Sequence, residues 1–141
     1  MNSGIVHLTS YRVRYSDTDK MGVVYYGNYM RLFEIGRTEL LRSAGLPYVE
    51  LEREGYLLPV LEAHAEYILP ARYDDVLDIV TSYEIEHSAV IVLRYEIRRN
   101  NDTLARGWTR HTFVSASGFK PVRPPQRFFD AMTSYNQPLG A

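Results

Sequence analysis

Cysteine is absent from the 141 residues, which removes disulfide staples, cysteine-ligated zinc and thiol nucleophiles together and is compatible with a reducing cytoplasm. An excess of one charge is lacking too. The 16 basic and 17 acidic residues leave a formal net charge of −1, without the basic surplus that supplies most nonspecific affinity for nucleic acid. No stretch approaches the roughly 20 apolar residues of a membrane-spanning helix, and residues 1–10 hold no basic segment leading into an apolar one. Neither a membrane span nor a secretion signal is expected. The four histidines, His7, His64, His87 and His111, fall without ligand spacing. Asp17-Thr18-Asp19-Lys20-Met21-Gly22 opens like a calcium loop, but Met21 and Asn28 stand at the fifth and twelfth positions, where oxygen donors are required. No metal site is predicted. Glycine-rich phosphate cradles and nucleophile elbows are missing as well.

Tyrosine is abundant, with 12 residues, many on strand-like segments where an aromatic with a polar tip suits a half-buried surface. The length is that of one domain able to bury a core without staples. Nothing in the composition divides it, so residues 1–141 are expected to form a single soluble domain.

Loose alternation predicts a first strand over residues 7–15, with Tyr11, Val13 and Tyr15 on one face. A polar, glycine-containing loop follows over 16–28. Tyr29, Leu32, Phe33, Gly36, Leu40 and Leu41 then recur at helical spacing, predicting a helix from about residue 28 to 44 that Gly45 stops, with Pro47 beyond. Gly36 inside that stripe points to close approach of the helix to a sheet. A short helical turn over 46–54 leads to four strand-like segments at 57–69, 76–86, 89–99 and 103–115. Asn100, Asn101 and Asp102 form the turn between the last two. Residues 117–125 are basic and proline-rich, and a short helix over 126–132 closes the chain. The order predicts an α+β class: a five-stranded antiparallel sheet wrapped around one long helix.

The start of that helix is the best place for chemistry, because its unpaired N–H groups and about half a positive charge suit a developing oxyanion. Carboxylates lie just before it. The string from Tyr15-Ser16-Asp17-Thr18-Asp19 through Tyr25-Tyr26-Gly27-Asn28, with Phe33-Glu34-Ile35-Gly36-Arg37 after it, resembles the 4-hydroxybenzoyl-CoA thioesterase family of hotdog folds, and most closely its tol-pal-associated acyl-CoA thioesterase branch. Pro70-Ala71-Arg72-Tyr73-Asp74-Asp75 and Lys120-Pro121 extend the resemblance along nearly the whole chain.

The resemblance implies hydrolysis of an acyl-CoA thioester without a cofactor, in a homodimer or a homotetramer built from two dimers, with the substrate bound across the dimer interface in the cytoplasm. Asp19 matches the family's catalytic carboxylate, and Tyr26 the residue whose backbone N–H polarises the carbonyl. Many tol-pal members have histidine at the position of Tyr26. Glu34 falls where the namesake enzyme has a helix carboxylate that reaches its substrate, or it simply pairs with Arg37 three residues on. Lys120 and Arg123 bind the CoA phosphates or are solvated tail charges. Asp17 and Asp19 also have a structural alternative, shaping the turn before the helix. Asp19 serves either as nucleophile, through a mixed anhydride, or as general base. The competing functions are a hotdog dehydratase, which wants a histidine that is missing between Met21 and Glu62, and a noncatalytic module that binds acyl-CoA or acyl carrier protein.

Overall fold

The computed structural model describes residues 4–135. Strand β1 (Gly4–Arg12) is followed by a single 3-10 turn at Tyr15–Asp17, then by helix α1 (Asn28–Ser43) and short α2 (Tyr48–Arg53). Strands β2 (Tyr56–Leu57), β3 (Val60–Tyr67), β4 (Val76–Glu84), β5 (Val90–Arg99), β6 (Asp102–Thr112) and β7 (Val114–Ser115) come next, and α3 (Gln126–Ser134) ends the described chain. Five strands form one antiparallel sheet in the order β1-β4-β5-β6-β3, while β2 and β7 pair separately.

The first strand ends three residues earlier than its alternation predicts. The chain turns after Arg12, so Val13 is buried while Tyr15 is 74% exposed and stacks face to face on Tyr73 at 3.9 Å. Each of the two longest strand segments splits. Pro59, which has no N–H for a ladder, separates β2 from β3, and a register shift follows between Val60 and Glu62.

Helix α1 lies on the inner face of the sheet because its apolar stripe, Tyr29, Leu32, Phe33, Gly36, Leu40 and Leu41, is buried there. Gly36 permits the approach: a β-carbon on it would fall 2.8 Å from Ile79 Cγ2 and closer still to the Thr81 hydroxyl. Gly45, at φ +79°, terminates the helix in the left-handed conformation that glycine tolerates. Leu77, Ile79, Ile91, Tyr95 and Ile97 meet the helix from β4 and β5, and Phe128, Phe129 and Met132 of α3 close one end of the core.

Strand β3 is an exception. It sits at the edge of the sheet, and seven of its eight residues are exposed, Val60 and Leu61 among them. The apolar run continues past it into exposed Ile68 and Leu69.

Candidate active site

The loop between β1 and α1 is held by its two aspartates in different ways. Asp17 is buried, at 3% exposure. Its carboxylate accepts from the Tyr11 hydroxyl at 2.7 Å and the Arg14 N–H at 2.8 Å, and it forms an ion pair with Arg31 of α1. Its backbone carbonyl accepts from the Tyr25 N–H and from Asn28 Nδ2, at 2.9 and 2.8 Å. Both carboxylate oxygens and the carbonyl of this residue are engaged, tying the loop to the first turns of α1.

Asp19 stands two residues on and is half-buried. Its Oδ1 accepts the Met21 N–H at 2.9 Å, which closes a tight turn, and no cation lies within ion-pair distance among the described residues. Its second oxygen has no partner among the described residues. The backbone beneath is rigid: the Asp19 N–H donates to Val23 at 2.9 Å and the Val24 N–H to Ala71 at 2.8 Å, with the Val24 side chain buried.

The loop delivers Tyr25, Tyr26 and Gly27 to the N-terminus of α1. Among the described residues the Tyr26 and Gly27 N–H groups have no acceptor, while the carbonyls of Tyr25 and Tyr26 already receive the N–H groups of Asn28 and Tyr29. These are free donors at the positive end of a 16-residue helix. Asp19 and Tyr26 line one cleft of about 460 Å³, together with Met21, Tyr29, Tyr67 and Ile68. The Tyr67 hydroxyl donates to the Tyr26 carbonyl at 3.2 Å, and its ring meets those of Tyr26 and Tyr29 edge-on at 6.2 and 5.2 Å. Burial pushes the hydroxyls of Tyr29 and Tyr67 up, so both stay protonated donors at neutral pH.

Neither Tyr29 nor Tyr67 was picked out by sequence as part of a site. Tyr29 belongs to the apolar helical stripe, and Tyr67 reaches the cleft only through the pairing of β3 with β6. Sequence held one faint signal, the excess of tyrosine itself.

The remaining candidates lie elsewhere. Glu34, exposed on α1, lines a second cavity of about 370 Å³ with Arg37, Thr38, Leu41, Tyr48 and Leu58. It forms no ion pair with Arg37, so the simple surface pairing considered for it does not occur. Lys120 and Arg123 are exposed in the turn after β7, where the Val122 N–H donates to Phe113 at the far end of β6. Tyr67 pairs with Ala105 near the start of β6, so by strand rise these cations are about 25 Å from the Asp19 cleft within one chain. Among the described residues no three carboxylate or imidazole groups are placed to hold a metal ion, and no helix is long and apolar enough to cross a membrane.

Residues 13–132 match the thioesterase-like superfamily. The chain belongs to that superfamily. It is 32% identical over 126 residues to a putative acyl-CoA thioesterase, YneP, of Bacillus subtilis, covering 89% of this chain and 91% of the relative. It is 34% identical to the acyl-CoA thioesterase YbgC of Haemophilus influenzae, over 82% and 85% of the two chains. Among solved structures, the DHNA-CoA thioesterase of Staphylococcus aureus superposes with a TM-score of 0.85 at 28% identity, covering 89% of this chain and 87% of that one. A 4-hydroxybenzoyl-CoA thioesterase bound to its substrate shares the fold, with a TM-score of 0.81 at 22% identity over 90% and 98% of the two chains. The architecture is therefore the hotdog fold, and the family one of thioester-hydrolysing enzymes.

Proposed function

We propose that this acyl-CoA thioesterase works through Asp19 and the start of α1. One observation carries the assignment: in a single cleft, a half-buried carboxylate with one unpartnered oxygen accompanies N–H donors that the fold leaves unpaired. The thioester carbonyl accepts from the Tyr26 N–H, and the positive end of α1 stabilises the oxyanion as it forms. Asp19 then either removes a proton from water or attacks the carbonyl carbon to form a mixed anhydride that water cleaves. Both routes release the free acid and CoA thiol, the thiolate taking up a proton derived from water. Asp17 has no part in the chemistry, since its oxygens are already committed.

A second copy of the chain completes the site in this reading. The exposed edge of β3 offers a row of unpaired backbone groups and apolar side chains, the surface a two-fold partner would cover. Antiparallel pairing of two β3 edges brings the far end of one sheet toward the cleft of the other. Lys120 and Arg123 of the second copy then approach the Asp19 loop, as CoA phosphates bridging the interface require. The substrate implies a cytoplasmic enzyme.

The test is hydrolysis of short, long and aromatic acyl-CoAs, followed by thiol release, with Asp19→Asn beside the unaltered enzyme. Turnover that collapses in Asp19→Asn on the best substrate supports the assignment. Near-normal kcat would overturn it and move the search to Glu34 or Glu39. A sharply monomeric mass at micromolar concentration would overturn the two-fold arrangement.

A further inference from the structure

The cavity beside Glu34 contains a cation in unusual surroundings. Arg37 is half-buried, lines the cavity among Leu40, Leu41, Leu58 and Ile91, and has no carboxylate within ion-pair distance among the described residues. A semi-buried guanidinium without a counter-ion is costly unless something anionic arrives to meet it.

A hydrogen-bonded chain behind the cavity holds Arg37 in place. His111 is fully buried, and burial, reinforced by the Arg37 charge, pushes it down to about 4, so its ring is neutral at physiological pH. The Leu58 carbonyl, 3.3 Å from His111 Nδ1, can only accept, so Nδ1 carries the proton and Nε2 is an acceptor. The Thr109 hydroxyl at 2.8 Å must therefore donate to Nε2, and it accepts in turn from the Tyr95 hydroxyl at 2.6 Å. The direction of every bond follows from that one carbonyl. The Tyr95 oxygen accepts from Arg37, whose charge acts against the burial that raises the Tyr95 hydroxyl.

The position of Arg37 relative to the cleft supplies the function. Met30, Glu34, Arg37 and Leu41 succeed one another at three- and four-residue steps, so they share a side of α1, and the last three line the cavity that follows the cleft along the helix from its start. From Asn28 to Arg37 the helix rises about 13 Å, and arginine leans back toward the N-terminus, so a short to medium acyl chain spans the gap.

We propose that Arg37 is a specificity residue that recognises a carboxylate at the far end of the acyl group, with Tyr95, Thr109 and His111 as its positioning chain. The substrates selected are then CoA monothioesters of dicarboxylic acids. Glu34, exposed at the same cavity, opposes the second carboxylate only weakly through water, whereas Arg37 acts from the less solvated side. The proposal rests on the thioesterase reading above and adds the class of acyl group.

The experiment compares kcat/KM on length-matched pairs: succinyl-, adipoyl- and suberoyl-CoA against butyryl-, hexanoyl- and octanoyl-CoA. The enzyme is expected to favour the carboxylated member of at least one pair by tenfold or more. Arg37→Met should lower that ratio at least tenfold, Tyr95→Phe should lower it severalfold, and Glu34→Gln should raise it. A folding defect alone lowers both members and leaves the ratio unchanged, which separates positioning from stability. If Arg37→Met does not fold, the Tyr95→Phe and Glu34→Gln ratios decide. An unaltered enzyme without preference, or a ratio that Arg37→Met leaves in place, overturns the proposal. If none of the six thioesters is hydrolysed while an aromatic acyl-CoA is, the proposal is overturned and the thioesterase reading stands; if no acyl-CoA of either kind is hydrolysed, the thioesterase reading fails separately. Calorimetry with free adipate and hexanoate then tests Arg37 directly: adipate binding lost in Arg37→Met supports the assignment, and equal binding of the two acids overturns it.

Discussion

Asp17 and Asp19 share one loop, one residue type and nearly one position, yet the fold treats them oppositely. Asp17 is 3% exposed and surrounded by Tyr11, Arg14 and Arg31, whereas the carboxylate of cleft-lining Asp19 keeps a single hydrogen bond among the described residues. A carboxylate with both oxygens engaged is a structural tie. One that is held by the backbone but left with a free oxygen can attack or take a proton. The roles proposed for the two therefore rest on satisfaction of hydrogen bonds and not on proximity to a helix start.

The most direct way to break the comparison is to make the two aspartates behave alike. Asp19→Asn is expected to reduce kcat by about 10²- to 10⁴-fold, the range of a positioned acid–base group, with thermal stability essentially unchanged. Steady-state hydrolysis and a thermal melt on the same preparation check both halves. Equal losses of kcat in Asp19→Asn and Asp17→Asn, measured well below the melting temperature, would erase the distinction.

Acid sharpens the comparison by loading the interior instead of the loop. His111 is held near 4 against an ordinary 6.5, so the unfolded chain binds its proton more readily. Its neutral burial costs nothing by titration above pH 6.5, and stability falls as pH drops from 6.5 toward 4, by about 3 kcal/mol. The lowered His7 acts in the same direction, with burial as its main cause. Denaturant melts between pH 7 and pH 4 should show a declining midpoint, and an activity profile recorded beside them distinguishes acid unfolding from titration at the site.

Asp17→Asn is expected to cost about 2 kcal/mol of stability, because a charged acceptor of several hydrogen bonds becomes a neutral one beside Arg31. Its kcat at low temperature should stay within a few-fold of normal. Chemical denaturation and kinetics measured together check this, and a large kcat loss in a fully folded Asp17→Asn would bring Asp17 into the chemistry.

The smallest expected effect comes from the far side of the cleft. Tyr67→Phe removes the 3.2 Å hydrogen bond to the Tyr26 carbonyl and keeps the ring contacts, so it should cost about 1 kcal/mol. A two- to fivefold fall in kcat/KM, with KM nearly steady, is the outcome that fits a role in holding the helix start.

Sequence by itself determined the element order and set the candidate loop at the start of the long helix. The helical stripe from Tyr29 to Leu41, the stop at Gly45 and the alternation on β4 and β5 follow from local periodicity and backbone preference, which act over a few residues and need no distant partner. Gly36 was legible for a similar reason, since a glycine inside a strong helical pattern has few explanations other than close packing. The Asp-containing loop at a helix start was legible from its residues and from the family they resemble. Tertiary structure decided the rest. Which aspartate is buried depends on Arg31 and Tyr11, which reach Asp17 from α1 and β1, and Tyr67 enters the cleft through a partner strand almost forty residues away in sequence. That Arg37 has no carboxylate partner among the described residues depends on what the folded chain sets around it, and i, i+3 spacing to Glu34 had left pairing open. Periodicity records which way a side chain faces, but hydrogen-bond partners and counter-ions across the core are fixed by long-range packing, and no local window contains them.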